Sequence, residues 1–385
     1  MSEIKVNSIK GVGASSAAIT VNNTDGTCTA NITNNLSNRN KIINGSMVIS
    51  QRTSSQQIGG TEFKYAGLDR YKIRNSSDGV ITVSQDSSEY PPGFRRSLKV
   101  ACTTADTSIT GAQTVYIAQF VEAQNLQDLA YGTSSAKSIT ISFYVRSNKT
   151  GTYAMRVQQA DSGFKQAGFN YTINTQNTWE RKTFTLAGDT AGAINDDNGT
   201  GLEFYWLLAA GPTYQGGSAN ATYQGYSNAD FGAGQTVNIL DNTSNTFFIT
   251  GIQVEVGSVA TDFEHRSFGQ ELALCQRYFE LVKWKYYFVT GYYQGNGNPV
   301  VPLSWNVEKR ATPTVTLPTV GTESGQIQVT NSGGSWDTSS TNIAANHIST
   351  LFTRIEGSGY GGSASTVCSL YINGTDGSVQ INAEL

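Results

Sequence analysis

Ser138–Ser147 reads SITISFYVRS. Ile139, Ile141, Phe143 and Val145 alternate with Ser138, Thr140, Ser142, Tyr144 and Arg146, so in an extended chain one face is apolar and the other at least partly wet. A strand of this kind needs a second apolar layer to cover its apolar face. Outward from it, the sequence supplies further strand-like runs: Tyr71–Arg74, Val80–Gln85, Arg96–Ala101, Thr114–Glu122, Thr152–Gln159, Arg181–Leu186, Leu202–Ala209 and Thr246–Val256. Turn residues separate them at short, regular intervals, the pattern of a β-sandwich.

The composition agrees. Charged residues make up 14% of the 385 residues, against about 25% in typical domains. Gly, Ser, Thr and Asn are abundant and suit turns, while Thr, Val, Ile, Tyr and Phe suit pleated, half-buried surfaces. With 38% hydrophobic and 10% aromatic residues there is enough apolar mass for a core, and disorder is not expected. A formal net charge of -3 offers no basic field for phosphates, so nucleic acid is not an expected partner. Cys28, Cys102, Cys275 and Cys368 lack CxxC spacing and read as buried free thiols rather than a zinc site or a disulfide framework. No apolar leader and no run approaching the roughly 20 residues of a membrane span is present, which predicts assembly in a cytoplasm without membrane insertion.

Four regions follow. Residues 1–40 hold short strand-like stretches (Ile4–Ile9, Ala17–Val21 and Thr27–Ile32) too small to bury a core of their own, which predicts an N-terminal anchor that oligomerises, with a homotrimer supplying the missing burial. Residues 41–266 form the sandwich. Residues 267–284 form a linking helix: Ser267 and Gln270 fit a capping box, and Leu272, Cys275, Tyr278, Phe279 and Val282 recur at helical spacing. Leu272, Leu274, Tyr278 and Phe279 are expected to clamp it between the two β-domains. Residues 285–385 form a smaller C-terminal β-domain, with Pro299, Pro302, Pro313 and Pro318 confined to strand edges or ends. The expected fold class is therefore mostly β.

Three stretches carry a family resemblance: RNKIINGSMVISQR at Arg39–Arg52, FFITGIQVEVGSVATDFEHRSFGQELALCQRYFE at Phe247–Glu280, and the pair EKRATPTVTL at Glu308–Leu317 with INAEL at Ile381–Leu385. With the strand WERKTFTL, they resemble a recurring family of tailed-bacteriophage tail-fibre and tail-tip proteins. The resemblance implies a jelly roll of the carbohydrate-binding-module type followed by a helix and a small β-domain. It also implies a structural virion protein, most simply a tail-fibre subunit for receptor binding and host adhesion. Its partners would be its own copies in a homotrimer, other phage tail or virion proteins through the N-terminal segment, and host-surface polysaccharide or lipopolysaccharide. Within the same architecture, a tail connector, an adaptor or a capsid decoration protein is the alternative, and a polysaccharide-degrading tailspike a minor one. In this resemblance Gly45 serves a turn, Gly257 a positive φ, and Glu255 with Arg266 a salt bridge.

Sugars need aromatic faces for their CH groups and amides or carboxylates for their hydroxyls. The stretch Trp206–Phe231 offers Trp206, Tyr214, Tyr223, Tyr226 and Phe231 beside Gln215, Asn220, Gln224, Asn228 and Asp230. The glycan-binding candidates are Trp206, Tyr214, Tyr223, Tyr226, Asp230 and, in the Gly-rich loop of the last domain, Tyr360. Trp179 reads as core. Asp189, Asn195, Asp196, Asp197 and Asn198 supply hard oxygens, and modules of this type often hold a structural calcium, yet the spacing matches no ordered calcium loop and reads as a solvated turn. No cofactor is expected. His265 and His347 belong to no HExxH or nucleophile–base pattern, the GSGYGG string lacks a strand–turn–helix context, and no carboxylate pair stands out for glycosidase chemistry. No catalytic residue is assigned and the chain is expected to be non-enzymatic.

Overall fold

The alternation of SITISFYVRS becomes an inner strand of a six-stranded sheet. The computed structural model describes residues 7–10, 12, 19–21, 24, 28–30, 37–283, 288–295, 297–321, 324, 326–330, 336–337, 342–358, 360, 363, 365–372 and 377–385. At the N-terminal end, β1 (Ser8–Ile9), β2 (Ile19–Val21) and β3 (Cys28–Ala30) pair as an antiparallel meander. They fall within the three predicted stretches, whose remaining residues, apart from Asn7, lie outside those described.

The sandwich follows: β4 (Ser55–Gly59), β5 (Glu62–Tyr65), β6 (Lys72–Asn75), β7 (Val80–Asp86), β8 (Ser97–Thr104), β9 (Thr114–Glu122), β10 (Ile139–Ser147), β11 (Gly151–Gln159), β12 (Lys165–Ile173), β13 (Glu180–Leu186), β14 (Thr200–Ala210), β15 (Gln224–Gly225) and β16 (Thr246–Val256). One sheet runs β13-β10-β16-β8-β7-β4 and the other β15-β12-β11-β14-β9-β6-β5, all antiparallel. This is a jelly-roll-like β-sandwich. Ile139, Ile141, Phe143 and Val145 are fully buried between the sheets, where Phe143 meets Trp206 edge-on at 5.8 Å. Each such side chain contributes roughly 1.5–3 kcal/mol of burial. The opposite face of β10 is drier than its polarity suggests. Thr140 and Ser142 are buried as well, Thr140 donating to the Gly257 carbonyl at 2.8 Å, and only Tyr144 and Arg146 are half-exposed. Gly257 has φ 119°, the positive value expected.

The turn before β4 is a brace. Gly45 lies in a turn, and a Cβ there would come within 2.2 Å of the Ile252 carbonyl oxygen on β16, so only glycine permits this approach. Asn40 bonds both the Ile252 carbonyl and the Val254 amide. Glu255 and Arg266 do not pair with each other. Glu255 is taken up by Gln253, Thr261 and, at 3.8 Å, Arg39, while Arg266 bonds Glu271 at 3.4 Å.

Between the sandwich and the distal domain lies the helix Phe268–Gln276, preceded in the chain by a single turn at Asn228–Phe231; we number the short turn α1 and the long helix α2. Both bonds of the Ser267–Gln270 capping box are present. Ser267→Ala is expected to cost about 1 kcal/mol, read as a lower denaturation midpoint. The helix stops at Gln276, so Tyr278 and Phe279 lie beyond it. Its buried residues are Glu271 and Cys275, while Leu272 and Leu274 are only half-buried. The clamp is therefore made by Glu271, Cys275, Tyr278 and Phe279 rather than by the leucines. Cys102, Cys275 and Cys368 are buried free thiols.

The distal domain contains β17 (Phe279–Lys283), β18 (Phe288–Tyr293), β19 (Pro299–Ser304), β20 (Thr314–Thr316), β21 (Ile327–Thr330), β22 (Trp336–Asp337), β23 (Asn342–Asn346), β24 (Phe352–Ser358), β25 (Val367–Ile372) and β26 (Ser378–Asn382). They form sheets β17-β26-β20 and β22-β21-β25-β18-β19-β24-β23. Pro302 lies within β19, paired with β24 on one side. The pairing to β18 covers only Pro299 and Val300, so β19 is an edge on that side by the time Pro302 is reached.

A polar seam fastens this domain to the sandwich. Arg277 forks onto the buried Glu122 carboxylate at 2.8 and 2.9 Å. Gln51 donates to the Phe279 carbonyl at 2.7 Å, Tyr65 to the Leu385 carbonyl at 2.6 Å, and Arg310 to the Asn198 carbonyl at 2.7 Å. The guanidinium of Arg52 covers the Phe279 ring at 3.6 Å and that of Arg70 the Tyr278 ring at 3.4 Å.

Candidate functional site

The outward face of the seven-stranded sheet is unusual in being aromatic. Alternation along β9 turns Val115, Ile117 and Val121 to the core, leaving Tyr116, Ala118 and Phe120 on the other side. Along β14, Phe204, Trp206 and Leu208 point inward and Glu203, Tyr205 and Leu207 outward. Register sets Arg74 of β6 beside Tyr116, Tyr116 beside Leu207, Tyr205 beside Arg156, and Glu203 beside Gln158. The rings meet edge to face: Tyr116 to Tyr205 at 5.2 Å, Tyr205 to Phe231 at 5.2 Å, Tyr116 to Phe231 at 5.7 Å and Tyr214 to Phe231 at 5.7 Å.

The segment between β14 and β16 folds back to wall this face. Phe231 of α1 plugs into the aromatic cluster, and Tyr214 stands in a single 3-10 turn, Pro212–Tyr214. From the β11–β12 turn, Phe164 faces Tyr226 at 5.6 Å; both rings are about two-fifths exposed, 40% and 42%. Between these walls lies an open cleft of about 260 Å³, lined by Arg74, Thr114, Tyr116, Gln158, Phe164, Tyr205, Tyr214, Tyr226 and Phe231. Gln158 is only 3% exposed, and among the described residues nothing hydrogen-bonds its side-chain amide. Its amide is open to the cleft, where a ligand hydroxyl could bond it. Tyr205 donates its hydroxyl to Glu203, whose carboxyl is pushed up by burial against the opposing hydrogen bond from Tyr205.

Arg156 holds the wall in place. Its guanidinium is 1% exposed and donates to the carbonyls of Asp230 at 2.9 Å, Ala233 at 2.7 Å and Phe169 at 2.9 Å. Burial pushes its pKa down to about 10. Gly168 on β12 makes room, since a Cβ there would sit 2.9 Å from Arg156 Nε. Asp230 lines a one-water hollow of about 10 Å³ beside Arg156, Gln166 and Asn220 and accepts from the Ser218 amide at 2.7 Å.

The sequence candidates separate accordingly. Tyr214 and Tyr226 stand on the cleft. Asp230 is next to it, engaged in the loop. Trp206 is not a surface residue: it is 0% exposed, because position 206 falls on the inward phase of β14. Tyr223 is not free either, its ring packing on Tyr131 at 5.8 Å and against the sandwich core. Tyr360 belongs to the distal core with Tyr293, Val301 and Ile355 and is 6% exposed, so it is no surface ring. Sequence reasoning missed Arg74, Tyr116, Gln158, Phe164 and Tyr205. The outward alternation of β9 and β14 was the available signal for Tyr116 and Tyr205. Asp189 of the acidic cluster bonds Lys165 at 2.7 Å, Asn195 bonds Asp161, and among the described residues no three His, Cys, Asp or Glu side chains converge as metal ligands.

The fold class is thus a mostly β chain, a jelly-roll-like sandwich with a helix and a second β-domain. No family model matches the chain, and no curated protein does. Among solved structures, it is similar to a family 16 carbohydrate binding module-2 at 15% identity, over 45% of this chain and 84% of that one, with a TM-score of 0.24. A putative sugar binding protein from Bacteroides thetaiotaomicron matches at 11% identity, over 57% of this chain and 100% of that one, TM-score 0.32. The enzymatically active domain of tailspike protein 4 from bacteriophage CBA120 matches at 10% identity, over 57% of this chain and 21% of that one, TM-score 0.29.

Proposed function

We propose that the chain is a glycan-binding adhesion subunit of a tailed-bacteriophage tail fibre, and that the cleft over β9, β14 and β11 is its sugar site. The observation that carries this is the combination of partly exposed Tyr214, Tyr226 and Phe164 rings with the Gln158 amide open to the cleft on its floor: apolar faces for sugar CH groups and an amide for a hydroxyl. The phage setting rests on the sequence resemblance of Arg39–Arg52, Phe247–Glu280 and the two distal stretches. In this reading the N-terminal meander anchors the chain to other virion proteins and joins three copies, so weak single sites act together by avidity on host-surface polysaccharide or lipopolysaccharide. The chain is a virion component with no catalytic role.

The test is a glycan array followed by titration with the bound oligosaccharide. Each stacking contact is worth about 0.5–1.5 kcal/mol, so Tyr214→Ala with Tyr226→Ala should weaken binding about tenfold or more, in a variant that stays folded with a melting temperature lowered only by the lost contacts to Phe231 and Phe164. Binding that survives the double substitution moves the site elsewhere. A chain that binds no glycan is a connector or decoration protein, and release of reducing ends from the polysaccharide would make it a depolymerising spike.

A further inference from the structure

The cleft has a charge as well as a shape. Arg74 lines it from β6, directly opposite Tyr116 on β9 and Phe63 on β5. It is half-exposed, and among the described residues no hydrogen bond or ion pair holds its guanidinium. That sets it apart from the other arginines near this face: Arg70 is paired with Glu384, Arg52 with Glu384, and Arg156 is spent on carbonyls. Lys72, two residues along β6 on the same face, has its ammonium over the Phe63 ring at 4.0 Å. Of the two carboxylates near the floor, Glu203 is buried, taken up by the Tyr205 hydroxyl and pushed towards its neutral form by desolvation, and Asp230 is engaged by the Ser218 amide in the adjoining hollow. The cleft therefore presents an unspent planar cation beside aromatic walls, with little negative charge to oppose an anion.

We propose that the ligand of this cleft is an acidic saccharide, a glycan bearing carboxylate groups, and that Arg74 reads the carboxylate. A guanidinium matches a carboxylate with two parallel hydrogen bonds. The Tyr116 and Phe63 rings flanking Arg74 limit the directions in which its side chain can swing, and Gln158 and Thr114 remain for the hydroxyls. This inference rests on reading the cleft as a glycan site and adds the class of sugar.

The experiment compares carboxylated glycans of the array with their carboxyl-reduced counterparts, in which each acid becomes a primary alcohol on the same backbone. The expected result is that the bound glycans are carboxylated and that reduction weakens binding about tenfold, as does Arg74→Gln, since charge-assisted bonds are about twice as strong as neutral ones. In Arg74→Gln the acid and its reduced form should bind alike, Arg74→Lys should recover part of the difference, and raising the salt should weaken only the acidic ligand. Tyr226→Ala, by contrast, should weaken both forms equally. Binding of neutral glycans that ignores carboxyl reduction and Arg74→Gln overturns the acidic reading and leaves the sugar site standing. Retention of no glycan at all overturns both.

Discussion

Glu384→Ala should be among the most destabilising single substitutions in this chain, costing about 3–5 kcal/mol. Glu384 lies in the last strand's exit from the distal domain, yet its carboxylate pairs with Arg70 of the sandwich, and Arg52 joins it at 3.1 Å. Arg70 is 1% exposed. Its other bonds go to the Phe120 carbonyl at 2.6 Å and, through its face, to the Tyr278 ring. Its backbone sits at φ 74°, a region a side chain with a Cβ rarely occupies, so the surrounding contacts fix its position against a local cost. Removing Glu384 leaves a desolvated cation with no counter-charge. The distal domain should then come loose from the sandwich, visible as a second, earlier melting transition and as protease cleavage between the domains. Glu384→Ala combined with Arg70→Met should recover most of the loss, because an apolar replacement of both partners removes the stranded charge. A single unchanged transition in Glu384→Ala would mean that the seam is held by Glu122 with Arg277 and the backbone bonds alone.

Much of the sandwich was legible because its central strands obey period two. Thr114–Glu122 and Thr246–Val256 were read with their observed bounds, and the capping box at Ser267 marked the helix start. The strands that escaped notice are short, at an edge, or covered on their polar face. SQQIG and EFKY lie at sheet edges, where polar residues are tolerated, and KQAGFNYTI is buried on both faces along part of its length because the 212–231 segment covers it. The site was half legible for a related reason. Tyr214 and Tyr226 lie close together in one loop, but Arg74, Tyr116, Gln158 and Tyr205 are far apart in sequence and meet only through the strand order β11-β14-β9-β6. Aromatic content located the loop. Which rings face the cleft is decided by strand phase and by loop packing, and these place Tyr223 and Tyr360 inside.

Trp206 shows how the two kinds of aromatic are told apart by experiment. Its indole is fully buried, edge-on to Phe143 at 5.8 Å, one residue from Tyr205 but on the opposite side of the sheet. Trp206→Ala should leave a cavity at the centre of the sandwich and cost about 3–5 kcal/mol. Trp206→Phe should cost much less than that. It retains most of the apolar volume, and it removes an indole N–H that finds no acceptor among the described residues, a group whose burial unpaired is itself worth about 1–3 kcal/mol of destabilisation. The measurements are denaturant midpoints for stability and, at a temperature where each variant is folded, titration with the array-selected glycan. Both variants should bind with the parent affinity, because the cleft is built on the outward phase of β14 and the core on the inward one. A Trp206→Phe variant with a parental midpoint and tenfold weaker binding would place the indole in contact with the sugar and overturn this division of the two faces.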